Sequence, residues 1–410
     1  MTSRSSAGLA ERFDQMWSEL AAIGRRPGGG FDRFAWSDAD LRLREWFRGA
    51  AAARGMDVEQ DSNGNLWAWW GRSGAAGAVV TGSHLDSVPG GGAFDGPLGV
   101  AGGFLAVDEL RSGPGQPPPR PVAVACFTEE EGARFGVACL GSRLMTGEIA
   151  PGRARDLADA SGVTLAEAMR RAFADPARLG ADEARVAGIG AYVELHIEQG
   201  RRLADLAAPV GVATGIWPHG RWRLSFAGEA NHAGTTGLDD RHDPMLPFAA
   251  TVAETRAAAA AHQGLATIGR AEIKPNATNA VPESVRAWLD ARAPDTASLR
   301  GIVADVRTAA GRIAAGHGVT VAIDEESVTE PVTFDSALRE RIGSLLGGPP
   351  EIPTGAGHDA GILAARVPAA MLFVRNPTGV SHSPAEHASR QDCVAGVRAL
   401  AAVLKELAWD

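Results

Sequence analysis

Cysteine is scarce: 410 residues carry three, Cys126, Cys139 and Cys393, with no Cys-x-x-Cys and no paired spacing. That argues against a disulfide framework or a thiolate zinc knot and fits a chain of the reducing cytoplasm. No apolar run approaches the roughly 20 residues that cross a bilayer, so no membrane span or anchor is expected. The first residues also lack an apolar h-region. Leu9, Phe13, Met16, Trp17 and Leu20 recur there at helical spacing, which predicts an amphipathic helix of the folded protein rather than a secretory leader. Positive charge is short as well: 40 Lys and Arg against 49 Asp and Glu leave a net charge of −9. Without a basic stripe to neutralise phosphates, nucleic acid is a poor partner and a small molecule a better one. Beyond alanine-rich helices, neither internal repeats nor low-complexity segments are present.

The chain that remains has a soluble, globular composition, 45% apolar and 22% charged. At roughly 150 residues per domain, its length suggests two or three domains. The first half alternates short apolar runs with helical patterns: 66–70, 78–81, a helix over 99–110, then 121–127. Such alternation predicts βαβ units and a mixed, largely parallel sheet. The stretch 113–121, rich in Gly and Pro, reads as a surface connection. From about Val212 the texture changes. Residues 221–227 and 285–292 alternate like strands with one exposed face, 244–262 and 298–315 read as alanine-rich helices, and 319–323 as one more strand. This predicts an inserted α+β unit over 212–327, with helices covering one face of an antiparallel sheet. The catalytic unit is then discontinuous, 1–211 and 328–410. Its last part returns to a buried strand, 369–374, and a closing helix.

Histidines and carboxylates cluster where apolar runs end. Ala78-Val79-Val80 is followed by Thr81-Gly82-Ser83-His84-Leu85-Asp86 and, across Gly90-Gly91-Gly92, by Asp95. Phe127-Thr128 is followed by Glu129-Glu130-Glu131, and His196 and His382 sit in two further segments read as strand-to-loop junctions. Open α/β sheets place ligands at the carboxyl ends of strands. Zinc-like ions take imidazole nitrogen and carboxylate oxygen, and two ions about 3.5–4 Å apart need a shared ligand, for which Asp95 suits. Asp86 is expected to accept the second N–H of the His84 imidazole and so orient the ring. Metal-assisted hydrolysis needs a carboxylate ligand and a carboxylate base, so the glutamate run has a use beyond starting a helix, although the residues alone do not say which Glu does which. A lone histidine at any of these places would more often be structural; the joint pattern carries the case.

Seven segments together resemble the hydantoinase/carbamoylase branch of the M20 metallopeptidase-like amidohydrolases, over nearly the whole chain. They are Gly82-Ser83-His84-Leu85-Asp86-Ser87-Val88-Pro89, Gly92-Ala93-Phe94-Asp95-Gly96, Glu130-Glu131-Gly132-Ala133-Arg134-Phe135, Glu194-Leu195-His196-Ile197-Glu198-Gln199-Gly200, Asn231-His232-Ala233-Gly234-Thr235-Thr236, Gly355-Ala356-Gly357-His358-Asp359-Ala360 and Ser381-His382-Ser383-Pro384. The branch holds N-carbamoyl-L-amino acid hydrolases, β-ureidopropionases and allantoate amidohydrolases. The resemblance implies two divalent ions per subunit (Zn, Mn, Co or Ni), one held by His84, Asp95 and His196 and the other by Asp95, Glu131 and His382. It makes Glu130 the base, keeps Asp86 in the catalytic set, and points through His196 to ureido rather than peptide substrates. It also implies that the inserted unit is a ferredoxin-like lid and dimerisation domain of a homodimer, with His232 reaching the partner's site. Gln199, Asn279, Arg292, Gly357 and His358 would contact the substrate, Arg292 forking onto its carboxylate. Arg375-Asn376-Pro377 departs from the usual turn, and its cation is expected to recognise a second polar group, as on allantoate. The competing activities are an aminoacylase or peptidase of the same superfamily and a non-catalytic binding protein on the same fold; the latter should lack a ligand or the base, and all are present.

Overall fold

The computed structural model describes residues 8–112 and 118–409, so the connection read at 113–121 lies partly outside the described residues. The chain divides into two compact units, residues 1–214 with 333–410 and residues 215–332.

Buried apolar runs build the first unit. Ala78–His84, Val122–Phe127 and Ala369–Val374 are buried at every position and Ile189–Ile197 at all but one, which only a strand covered on both faces requires. These four are mutually parallel neighbours: Ala78–His84 lies between Val122–Phe127 and Ile189–Ile197, and Ala369–Val374 follows on the far side of Ile189–Ile197. Leu66–Trp70 and Val210–Ile216 extend the sheet antiparallel at its two sides. Because the inner strands are parallel, their carboxyl ends share one edge. His84 pairs with Phe127 and His196 with Phe373 in register, which brings segments over a hundred residues apart to that edge.

Helices seal the sheet. Leu9–Ala21 buries Leu9, Phe13, Met16 and Leu20, while Trp17 stacks on Phe13 and Phe94. Pro97–Arg111 and Arg390–Trp409 complete the same apolar core. Several short helices between 140 and 188, absent from the sequence reading, form a satellite cluster around Leu140, Leu144, Leu165 and Met169. No helix among the described residues is long and apolar enough to cross a membrane.

The second unit has the order strand, helix, strand, strand, helix, strand: His219–Ala227, Met245–Ala261, Leu265–Lys274, Ser284–Arg292, Thr296–Gly316 and Thr320–Thr329. Its sheet is antiparallel, with Thr320–Thr329 and Leu265–Lys274 at the edges and the other two strands inside. This is the split βαβ arrangement. The edge strand Leu265–Lys274 is a correction to the sequence reading, which has three strands here. It is largely exposed and interrupted by Gly269, so it shows no clean alternation. Thr320–Thr329 also runs past the apolar stretch that ends at Ile323, because Asp324 and Glu325, and Ser327 to Thr329 beyond a bulge at Glu326, pair with the neighbouring strand while largely facing water. The unit therefore ends at Val332 rather than 327.

Candidate metal centre

His84 ends its strand and His196 is the penultimate residue of its own, so the sheet fixes both rings. Each places Nδ1 against a backbone carbonyl, Asp86 O at 3.1 Å for His84 and Ile197 O at 2.8 Å for His196. A carbonyl can only accept, so the proton sits on Nδ1 and the Nε2 lone pair faces inward. Both Nε2 atoms point at Asp95 Oδ1, from 3.5 and 3.2 Å, and both are buried without a hydrogen-bond partner. The other oxygen of Asp95, Oδ2, faces a second set: His382 Nε2 lies 3.5 Å away and itself 3.4 Å from Glu131 Oε2. Each triad, His84, Asp95, His196 and Asp95, Glu131, His382, has ligand atoms within 4.8 Å of one another. Orphaned imidazole nitrogens around a carboxylate turned both ways form a donor set that fits two divalent ions.

His382 is not at a strand end. It sits well inside the loop between Ala369–Val374 and Arg390–Trp409, with a left-handed backbone (φ 56°) and a half-exposed ring.

Asp95 reaches its place through the turn ending at Gly96. Gly96 has φ 84°, and a Cβ there would lie 2.5 Å from the His84 ring, so the position needs glycine on both counts. The loop is held from the N-terminal side. Phe31 and Gly91 exchange two backbone hydrogen bonds, Gly90 N donates to Asp32 Oδ1 and Arg33 N donates to Ser87 Oγ. Nothing in the sequence marks this strap.

Asp86 acts differently from the expectation. Its carbonyl oxygen, not its carboxylate, meets the His84 ring; the carboxylate lies 3.6 Å off and accepts the backbone N–H groups of Glu130 and Glu131 at 3.2 and 3.1 Å. One residue thus orients a ring and fixes the glutamate segment. Within that run the roles separate. Glu129, with φ 56°, accepts the N–H groups of Arg134 and Phe135 and serves the turn. Glu130 is buried, with Oε2 3.6 Å from His84 Nε2 and Oε1 receiving the Cys139 thiol at 3.3 Å. Glu131 faces His382.

Burial dominates the electrostatics. It pushes Glu130 well above the usual carboxyl range, with Asp359, Glu131 and Asp86 adding to the rise and His84 opposing it. It raises Glu131 to about 8 with help from Asp95. Burial would raise Asp95 too, but the close approach and charge of His196 and His84 outweigh it and hold Asp95 well below that range. For His84, burial disfavours the cation, yet Glu130, Asp95 and Asp86 together raise it well above normal. His358, buried 4.5 Å from the His196 ring, is lowered well below its ordinary value by burial and by the charge of His196, and its Nε2 is unpartnered.

Gln199 lies in the same place, its Nε2 donating to Asp95 Oδ2 at 2.8 Å. Gly357 precedes His358 in the loop before the short helix Asp359–Leu363. The remaining substrate candidates belong to the second unit. His232 pairs with Ala280 beside Asn279, whose carbonyl accepts Ala233 N–H, and the His232 Nδ1 accepts Gly234 N–H at 3.1 Å. Arg292 ends its strand with Nε and Nη2 on the Asp290 carboxylate.

Arg375 is a correction. Its guanidinium grips the buried Asp392 at 3.0 and 2.8 Å, and so is committed to pinning the closing helix rather than reading a substrate. Asn376, also read as part of that departure, shapes the loop before His382 through Glu198 O, Val380 O, Thr378 N and Gly379 N. Two neighbours of the centre were not singled out by the sequence reading. Cys139 touches Glu130 with no motif to mark it, whereas Glu386 lies two residues beyond the segment quoted for His382.

Comparison with known proteins gives the family. Residues 80–406 match the model of peptidase family M20/M25/M40. The chain is 37% identical to an N-carbamoyl-L-amino acid amidohydrolase of Geobacillus stearothermophilus over 97% of this chain and 98% of that protein. It is 34% identical to an allantoate amidohydrolase of Escherichia coli K12, covering 95% and 96%. A hydantoinase/carbamoylase-family amidase from Burkholderia multivorans superposes with a TM-score of 0.85 at 33% identity, covering 98% of each chain. The chain belongs to peptidase family M20/M25/M40, in its hydantoinase/carbamoylase branch.

Proposed function

We propose that this amidohydrolase cleaves a linear ureido C–N bond, in an N-carbamoyl-L-amino acid or in allantoate, with one ion on His84, Asp95 and His196 and a second on Asp95, Glu131 and His382. The observation that carries the reading is Asp95, whose two oxygens face separate histidine sets. When bound, such ions supply Lewis-acid polarisation of the scissile carbonyl and make a nearby water more acidic. The donors, all imidazole and carboxylate, accept Zn, Mn, Co or Ni.

Glu130 takes the proton of the attacking water and delivers it to the leaving nitrogen; its raised affinity for protons suits a group that must release as well as accept one. Asp86 keeps Glu130 and Glu131 in place through their amides. His232 is a donor toward the developing oxyanion: with Nδ1 accepting from Gly234, its proton is on Nε2. Arg292, oriented by Asp290, takes the substrate carboxylate, and Gln199, Asn279, Gly357 and His358 are the further substrate contacts.

Arg292 closes the nine-residue strand Ser284–Arg292, while the His232 ladder departs near its other end, where Gly228 pairs with Glu283. That strand spans roughly 25 Å, more than a small substrate can bridge. This supports a homodimer in which one chain supplies Arg292 and its partner supplies His232 together with the neighbouring Asn279. Three buried free thiols fit a cytoplasmic protein.

The test is a panel of N-carbamoyl, N-formyl and N-acyl amino acids plus allantoate on metal-reconstituted protein. We expect N-carbamoyl amino acids or allantoate to lead in kcat/KM. A preference for N-acyl amino acids or dipeptides would overturn the substrate class, and no turnover of any member would overturn the activity.

A further inference from the structure

The five segments that supply ligands are not equally secured. His84 and His196 lie in a buried sheet with their rings bonded to carbonyls, whereas His382 stands on a loop, half-exposed and in a left-handed backbone. A non-glycine residue holds such a conformation only where its surroundings over-determine it. The surroundings here converge on one carboxylate. Glu386 is 5% exposed, and its Oε2 accepts the backbone N–H of Phe94 at 2.7 Å and of Asp95 at 3.1 Å, nearly three hundred residues earlier in the chain. Its own N–H closes a turn onto Ser383 O at 3.0 Å. Ser381, beside His382, lies within reach of both, its hydroxyl 3.1 Å from Asp95 Oδ2 and 3.4 Å from Glu386 Oε1. Room for the carboxylate comes from Gly92, where a Cβ would sit 2.3 Å from Glu386 Oε2.

We infer that Glu386 is a positioning residue that locks the His382 loop to the Asp95 turn and thereby sets the affinity of the ion held by Asp95, Glu131 and His382. The inference rests on the two-ion reading above. Glu386 belongs to neither ligand set. It fixes the backbone of Asp95 and anchors the loop that carries His382. Removing it leaves two buried amide N–H groups unpaired and frees the one ligand that packing does not hold. The His84 and His196 site keeps its sheet-borne ligands.

The experiment uses the full chain, stripped of metal and titrated with Zn(II) by calorimetry, with bound zinc counted by mass spectrometry after dialysis. E386A should bind one zinc as the unsubstituted protein does and the other about 10- to 100-fold more weakly. E386Q, whose amide oxygen still accepts both N–H groups, should recover most of that loss. The thermal midpoint of the stripped protein, a readout that a merely structural role would lower, should not fall below that of the unsubstituted chain in E386Q. If E386A does not fold, E386D, too short to reach both amides, carries the same expectation. Two zinc ions bound with unchanged affinity in E386A or E386D, or both weakened equally, would overturn the inference. Fewer than two sites on the unsubstituted chain would instead remove the two-ion reading on which it stands.

Discussion

Stripping the ions should invert the pH dependence of stability. The centre packs carboxyl groups whose proton affinity rises on folding: burial, the largest influence in each case, lifts Glu129, Glu131 and Asp359 to about 8 and Glu386 to about 7. In the unfolded chain these groups titrate near 4. Between those limits the stripped, folded protein holds more protons than the unfolded chain, so its stability must fall as pH rises. His84 and His196 act in the same direction, because their raised values mean that a stabilising positive charge is lost on the way up. Asp95, held low, contributes only below about pH 4, outside the window. For Glu386 alone, a rise from 4.5 to about 7 corresponds to roughly 3 kcal/mol. In a unit of this size that is roughly 5 °C of melting midpoint. With ions bound the sign reverses, since cations compete with protons for the same donors and binding adds stability as pH rises. Scanning calorimetry of chelator-treated and zinc-reconstituted protein from pH 5 to 8 tests this. A stripped-protein midpoint that stays level or climbs across the window would refute the reasoning.

Three substitutions extend the test. E130Q should keep both ions by mass spectrometry and lose about 10²- to 10⁴-fold in kcat; a kcat within tenfold of the unsubstituted enzyme would remove Glu130 as the base. R375A should cost about 2–3 kcal/mol in denaturant melts, because Asp392 is left buried without its partner, while the ratio of KM for allantoate to KM for an N-carbamoyl amino acid stays constant; a selective rise for allantoate would restore the substrate role withdrawn above. G96A should shed metal and stability together, because a Cβ at φ 84° meets the His84 ring; full zinc occupancy after dialysis would show that the loop can yield.

The site was legible in proportion to how locally its residues are determined. His84, Asp95, His196 and His382 could be picked out as candidates because each stands in a short segment with its own pattern, whereas Glu131 was chosen over Glu130 as a ligand only through the family resemblance. The buried strands could be read because short continuous apolar runs bounded by turn signals have few other uses in a globular chain. The edge strand Leu265–Lys274 could not, since an exposed edge has no face that must be apolar. Asp86 and Arg375 were given the wrong contacts for a related reason. A side chain's type says what it can bond to, and only the fold says what is nearest: for Arg375 an aspartate seventeen residues on, for the Asp86 carboxylate the amides of Glu130 and Glu131.

By itself, then, the sequence determined the chemistry: an anionic, thiol-poor chain with imidazole and carboxylate donors at the ends of buried strands. Tertiary structure alone decided the division of labour. Parallel pairing brought His84 and His196 to one edge, and the turn at Gly96 set Asp95 between two histidine sets. Glu386 tied the last ligand loop to the first across nearly three hundred residues. Hydrophobic patterning acts over a few residues and can be read along the chain, whereas hydrogen-bond partners are chosen by proximity that exists only after the chain has folded.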